Sequence, residues 1–371
     1  MSGLIDDVRS VLVDAQSIVA PSRREELAVA IERLDEPLRV AIAGKVKAGK
    51  STLLNALVGD ELAPTDAGEC TRIVTWYEDG VTYRVEAALS SGDPVQIPFD
   101  RVDGAIQPRL GSLRADDIQR LNITWPAEPL RAMTLIDTPG IDSISVDVSA
   151  RSHRFLTPGE DRATDADAVL YLLRHLHPND VRFLESFHVD EVAQGTPTNA
   201  IGILARADEI GGCELDALTI AAEAAAGYVG DPKLRALCQT VVPVAGLLAQ
   251  GGATLRQDDY ADLLTLSGLD DEAKNALLAS AERFVTRPAP VSAERRADIM
   301  SRLGLYGVRL SIDLVGRGAV TSASALASEL VARSGIAELR HLLATRFAAR
   351  SLVLKARSAL AVLRSALASP T

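Results

Sequence analysis

Cysteine is scarce in the chain: three in 371 residues, Cys70, Cys213 and Cys238, widely spaced and odd in number. That excludes a disulfide framework and a cysteine zinc site, and it fits reduced thiols. Cys70, with only Arg72 nearby to lower its pKa, reads as an inert thiol. No apolar run reaches membrane-spanning length, and Met1 to Ala20 lacks the basic, apolar and small-residue order of a secretory leader. The expected location is the cytoplasm. Metal-ligand clusters are missing too: His175 and His177 beside Pro178 have no cysteine or third ligand and read as a loop after a strand. There is no internal repeat and no low-complexity tract, the alanine run Ala221 to Ala226 being ordinary helix. Acid is absent beyond Glu338, where Arg340, Arg346, Arg350, Lys355, Arg357 and Arg364 stand unopposed. From Thr286 onward thirteen basic residues face five acidic ones, so a net charge of −11 divides into +8 there and about −19 elsewhere. Attraction to an anionic surface therefore belongs to the C-terminal part.

The hydrophobic content of 47% supplies a packed core, and 371 residues are too many for one ordinary core. Leu38 to Ala43 is an apolar, β-branched run that leads into Gly44-Lys45-Val46-Lys47-Ala48-Gly49-Lys50-Ser51. This is the G-x-x-x-x-G-K-[ST] spacing of a phosphate-binding loop. Backbone N–H groups must wrap the phosphates, so glycine is needed at Gly44 and Gly49; Lys50 reaches the outer phosphates and the Ser51 hydroxyl can hold Mg²⁺. Thr52 to Leu57 then starts an amphipathic helix.

Downstream residues select the nucleotide. Asp137-Thr138-Pro139-Gly140 follows the apolar run Met133 to Ile136, placing a carboxylate at a strand end beside the Mg²⁺ shell and the Gly140 N–H at the γ-phosphate. Leu204-Ala205-Arg206-Ala207-Asp208 follows another strand and stands where a base-reading [NT]-K-x-D motif would stand. The Asp208 carboxylate would accept from N1–H and the 2-amino group of guanine, donors that adenine does not present together. Arg206 replaces the lysine that lies along the base, and Ala205 replaces a side chain that bonds the loop, which weakens base binding. The switch threonine that completes the Mg²⁺ shell is one of Thr65, Thr71 and Thr75, with Thr71 best placed before the strand Arg72 to Tyr77. Ile141 stands where Ras-like enzymes carry a water-orienting glutamine, so hydrolysis needs another device. Lys47 occupies a loop position where guanylate-binding proteins and atlastins carry an internal arginine finger. It could bring positive charge to the β,γ-bridge, the alternative for it and for Lys45 being a solvent-facing side chain.

Residues 3 to 34 read as one or two helices broken at Pro21, with Leu4, Val8, Val11 and Leu12 on one apolar face. Strand-like runs lie at Arg72 to Tyr77, Val81 to Leu89, Met133 to Ile136, Ala168 to Leu173, Ala200 to Leu204 and Val241 to Val244, with helical patterns between several of them. This alternation predicts an α/β fold with a mainly parallel sheet. Trp76 and Trp125 sit in apolar surroundings and belong to the core. From about Asp258 helical patterns run to the end; Ile336, Leu339, Leu343 and Phe347 repeat at helical spacing, and Arg350, Arg357 and Arg364 recur every seven, as on one long helix.

In combination GKVKAGKSTLLNALVG, ELAPTDAGECTRIVTWY, DTPG, ARADEIG and VVPVAG resemble the bacterial dynamin-like GTPases, nearest to the isoniazid-inducible IniC type of actinobacteria. The similarity extends to Leu303-Gly304-Leu305-Tyr306-Gly307 and to Arg333-Ser334-Gly335-Ile336. The resemblance implies a P-loop GTPase domain at 38–257, a helical extension at 258–335, and a neck of the N-terminal region 1–37 with the C-terminal helix 336–371. It further implies Thr71 as the switch threonine, Val244-Ala245-Gly246 as the loop beside the base, and dimerisation or hetero-oligomerisation through the nucleotide domain. Peripheral association with the inner membrane surface is implied as well. Chains of this type continue into returning helices with a lipid-touching tip, so a stop at Thr371 suggests a fragment or short form. Two other readings compete: a weakly active partner of a related GTPase, for which Ala205 is the relevant feature, and a switch in RNA or ribosome assembly. The second lacks a GXXG loop or stacking aromatics in the helical tail, so no nucleic-acid partner is expected.

Overall fold

The run Leu38–Gly44 forms β1 and is buried along its whole length, as an apolar strand covered on both faces must be. It lies in a computed structural model that describes residues 2–64, 73–102, 104–139, 165–174, 184 and 199–368. Thr65, Cys70, Thr71, Gly140, Ile141, His175 and His177 fall outside the described residues. In chain order the N-terminal half comprises α1 (Ser2–Gln16), α2 (Pro21–Arg33), β1, α3 (Lys50–Val58), β2 (Thr75–Glu78), β3 (Arg84–Leu89), β4 (Val95–Gln96), β5 (Phe99–Val102), β6 (Ala105–Pro108), β7 (Ile118–Thr124), α4 (Glu128–Ala132) and β8 (Met133–Asp137). There follow β9 (Ala168–Leu173), β10 (Ala200–Ala205), α5 (Ala217–Gly230), α6 (Pro232–Arg235), β11 (Val241–Val244), α7 (Gly246–Ala253), α8 (Gln257–Ser267), α9 (Asp271–Leu278), α10 (Ala281–Thr286), α11 (Ala293–Gly316), α12 (Ala323–Arg333), α13 (Ile336–Leu342) and α14 (Ser351–Ala368).

The main sheet has the order β11-β10-β9-β1-β8-β2-β7-β3-β4. Strands β11, β10, β9, β1 and β8 are mutually parallel, as are β2 and β7, while β2 runs against β8 and β3 against β7 and β4. The sheet is thus mainly parallel, with an antiparallel flank that the sequence pattern does not reveal. β4 is two exposed residues and β5 is mostly exposed, so neither carries a buried stripe to read; in the β5–β6 hairpin only β6 buries a face, through Ile106 and Pro108. One face of the sheet packs on α3 and α13, the other on α5.

The N-terminal helices bury half of the expected face, Val8 and Leu12, in a stripe rotated from the one read from the sequence. Ile5, Val8, Leu12 and Ala15 point inward, whereas Leu4 and Val11 are 43% and 48% exposed. Pro21 does divide the segment, as the first residue of α2. Helices α1, α2 and α14 share a core of their own. Nor is the C-terminal helix continuous: a π-turn at Leu343–Phe347 and a 3₁₀ turn at Ala348–Arg350 separate α13 from α14. The two halves serve different cores, Ile336, Leu339, Leu343 and Phe347 under the sheet and Ala359, Val362 and Ala366 against α1 and α2, and the widened turn re-aims the apolar stripe.

Two of the tail cations are not unopposed. Arg340 Nη2 donates to the Ala56 and Leu57 carbonyls at the end of α3 (2.8 and 3.2 Å), and Lys355 Nζ to the Leu34 and Glu36 carbonyls after α2 (2.7 and 3.0 Å). Trp76 and Trp125 are buried, but not in purely apolar surroundings. The Arg39 and Arg120 guanidiniums lie 4.4 and 4.1 Å from the Trp76 ring centroid, and Trp125 meets Tyr83 in a tilted pair at 47° with Arg101 over its ring.

Candidate nucleotide-binding site

The phosphate loop joins β1 to α3, and its glycines answer to geometry. A Cβ on Gly44 would stand 2.7 Å from the Leu172 carbonyl oxygen of β9, and Gly49 caps α3 at φ 98°. Lys50 Nζ donates to the Gly44 and Lys45 carbonyls (3.1 and 3.0 Å), which holds the ammonium at the loop. Burial lowers its pKa, an effect that the nearby Asp137 opposes. Lys47 is exposed and holds φ at 60°; Lys45 is half-buried and Ala48 buried.

Ser51 Oγ donates to Asp137 Oδ2 at 3.1 Å. Burial raises the Asp137 pKa, with Lys50 and the Ser51 bond acting against it. A hydroxyl and a carboxylate at this separation are hard oxygen donors of the kind Mg²⁺ takes. Among the described residues no group of three or more His, Cys, Asp or Glu could cage a metal. Thr138, not singled out by the sequence, ties this strand end to β1 through Oγ1 and the Ile42 carbonyl (2.9 Å). Thr75 is a strand residue whose hydroxyl donates to the Ile73 carbonyl.

Beside the loop lies a pocket of about 210 Å³ walled by Gly49, Thr52, Leu172, Asp208, Gly246 and Leu247, among others. The 3₁₀ turn Ala207–Gly212 carries Asp208, 6% exposed. Its carboxyl is pushed up to about 6, chiefly by burial. Gly246 abuts α3: a Cβ there would lie 3.5 Å from Thr52 Cγ2, and the Ala245 N–H donates to the Ser334 carbonyl at 2.9 Å. The stretch Arg333 to Ile336 thus buttresses the loop beside the pocket, where a Cβ on Gly335 would collide with the Pro243 carbonyl.

Arg206 is aimed differently from a side chain stacked along a base. Its Nη2 donates to the Lys47 carbonyl of the phosphate loop at 2.9 Å, and Nη1 donates to Glu209, which also accepts from Arg174. The tie to the loop that Ala205 cannot make is thus made one residue later. Sequence reasoning missed Arg174 and Glu209, for which the chain offers no local signal, and Leu247, which follows directly on Gly246.

Residues 40–192 match the Dynamin family. Over 334 residues, 90% of its length, the chain is 43% identical to the isoniazid-induced protein IniC of Mycobacterium tuberculosis. The chain belongs to the dynamin family, in the IniC type. This dynamin-like chain spans 67% of that relative's length. It is 26% identical over 178 residues to a bacterial dynamin-like protein of Nostoc punctiforme, covering 44% of this chain and 24% of that one. A solved oligomerised bacterial dynamin pair aligns at 15% identity with a TM-score of 0.44, covering 75% of this chain and 45%, under half, of the other. Among the described residues no helix is long and apolar enough to cross a membrane.

Proposed function

We propose that this dynamin-like chain binds GTP and GDP with Mg²⁺, hydrolyses GTP to GDP and phosphate, and acts in membrane remodelling or maintenance at the inner membrane surface. The observation that carries the nucleotide reading is Asp208, a buried carboxylate in the wall of a pocket that opens beside the phosphate loop. In this reading residues 44–52 hold the phosphates, Arg206, Asp208, Ala245 and Gly246 surround the base, and Lys50 compensates charge on the outer phosphates. Ser51, Thr71 and, through water, Asp137 would hold Mg²⁺, which when bound neutralises the phosphate oxygens. The Gly140 N–H would serve the γ-phosphate in this reading. Lys47 supplies the cation for charge that grows in the transition state, a role open to it because Ile141 cannot orient water. We assign the nucleotide domain to 38–257, its helical extension to 258–335, and a neck to 1–37 with 336–371.

Assembly through the nucleotide domain, as a homodimer or with a related dynamin-like chain, would bring a second copy to the exposed Lys47. The membrane part of the proposal rests on family membership and on the basic C-terminal part, in which Arg346, Arg350 and Arg364 are exposed. GTP turnover measured against protein concentration, with and without anionic liposomes, tests both parts. The proposal expects specific activity to rise with concentration and with liposomes. Absence of turnover under all conditions would leave the regulatory-partner reading in its place.

A further inference from the structure

Helix α11 does not run straight past the base pocket. At Gly304 φ is 67° and ψ 174°, a backbone state that only glycine holds without strain. The break faces the pocket. A Cβ on Gly304 would stand 3.2 Å from Leu247 Cδ2 and 3.9 Å from Asp208 Oδ2, and both residues line that pocket. Just before the break α11 is crossed by α7, so closely that a Cβ on Gly251 would lie 2.3 Å from the Arg302 carbonyl oxygen.

Five residues beyond the break, Arg309 reaches back to the far end of the base-side turn. Its Nη1 donates to the Gly212 and Cys213 carbonyls at 3.0 and 2.8 Å and lies 3.1 Å from Glu214 Oε1. Nε and Nη2 donate to the Leu278 carbonyl on α9, so one guanidinium joins three elements. The turn held in this way begins at Arg206 and ends at Cys213, both at positive φ (55° and 61°) without being glycine. Such conformations persist only where the surroundings over-determine them. One end of the turn is tied to the phosphate loop by Arg206, and the other end is tied to α11 by Arg309.

We propose that α11 is the brace of the base-reading turn: Arg309, together with the break at Gly304, sets the position of the Asp208 carboxylate and thereby the selectivity for guanine. The inference rests on the guanine reading of Asp208 given above. Arg309 is a positioning residue, since it touches the turn and not the pocket. A carboxylate that must accept from N1–H and the 2-amino group at once tolerates a displacement of only about 0.5 Å. When the turn relaxes, the bond to the 2-amino group is the discriminating one to lose. Hypoxanthine keeps N1–H and lacks that amino group, so the GDP:IDP affinity ratio reads the position of Asp208 while phosphate binding cancels.

The test is calorimetric titration of GDP and IDP into the wild-type chain, Arg309→Ala, Arg309→Gln, Arg309→Lys and Gly304→Ala, with thermal unfolding of each. The wild type should prefer GDP by about 10-fold, the value of one well-placed hydrogen bond to a charged group. Arg309→Ala and Gly304→Ala should bring the ratio to within about threefold of unity, with IDP affinity nearly unchanged, and Arg309→Lys should recover part of the preference. Arg309→Gln keeps the stem and one amide donor, and it decides the matter if the alanine variants do not fold. A folded Arg309 variant with the wild-type ratio overturns the brace and leaves Arg309 as packing alone. A wild type without GDP preference overturns the guanine reading itself, whatever α11 does.

Discussion

Asp208→Asn should make the nucleotide-free protein more stable and less able to bind GTP. The side chain is 6% exposed, and burial pushes its carboxyl from 3.8 up to about 6; its own backbone N–H and Arg206 act the other way, while Glu209 adds to the rise. A gap of this size corresponds to about 3 kcal/mol. In the unfolded chain the group ionises near 3.8, so above pH 6 the ionised Asp208 destabilises the native state by the full amount. As pH falls through 6 toward 4 the native carboxyl takes up its proton and the penalty fades. Replacement by the uncharged, nearly isosteric amide should therefore raise stability by about 3 kcal/mol at pH 8 and by only about 1 kcal/mol at pH 4.5. The same change reverses the base preference, because an amide N–H can donate to the 2-oxo group of xanthine and cannot accept from guanine. Denaturant unfolding of the nucleotide-free protein at the two pH values, with titrations of GDP and XDP, measures both effects. A variant no more stable than wild type at pH 8, or one shifted equally at both pH values, would falsify the claim that this carboxylate is held ionised at a cost to the fold.

Lys50→Ala should abolish nucleotide binding, whereas Lys47→Ala should spare it and slow single-turnover hydrolysis about 10-fold, a fraction of the worth of an arginine finger. An unchanged rate in Lys47→Ala would make it a surface lysine. GDP affinity should fall about tenfold per pH unit below 6, since a protonated Asp208 no longer offers guanine two acceptors. The charged groups that act on it are Glu209 and Arg206, while Cys213 and Tyr306, whose pKa values are raised chiefly by burial, also feel its charge; affinity constant from pH 5 to 7.5 would contradict the assignment. The triple change of Arg346, Arg350 and Arg364 to glutamine should remove sedimentation with anionic liposomes at low salt, about 1 kcal/mol per residue or roughly a hundredfold in Kd, and leave basal turnover alone. Equal sedimentation with neutral liposomes would refute the electrostatic origin.

The parts of the site legible in the sequence are those in which one short segment carries its own reason. Gly44 and Gly49 are required by the backbone of the phosphate loop, and β1 announces itself as an unbroken apolar run. The strand-end Asp137 and the turn-borne Asp208 follow equally apolar strands, β8 and β10. What escaped depends on distant partners. Arg309 finds its carbonyls 31 and about 97 positions away, and nothing in its neighbourhood distinguishes it from other helical arginines. The interruption after Leu342 escaped because a π-turn inserts one residue without changing which residue types repeat, so the apolar spacing from Ile336 to Phe347 still reads as uninterrupted helix.

The acid-free tail shows why a count of charges is a poor guide to what they face. A search for carboxylates finds none beyond Glu338, yet Arg340 and Lys355 both end on backbone carbonyls, at the C-terminal ends of α3 and α2. Those carbonyls have no partner within their helices, and the helix dipole makes them the favourable place for a cation. A carbonyl satisfies the hydrogen-bonding needs of the cation without cancelling its charge, so the tail stays basic although these two residues are spent on folding. Arg340 in addition ties the helix that follows the phosphate loop to α13, the element that leads through the π-turn into α14. The basic character of the tail thus has two separable origins. Arg340 and Lys355 join helices to one another, whereas Arg346, Arg350 and Arg364 are exposed to solvent. Arg357, half-buried and with its pKa lowered by that burial, sits between the two groups, which is why the liposome test replaces Arg346 in its stead.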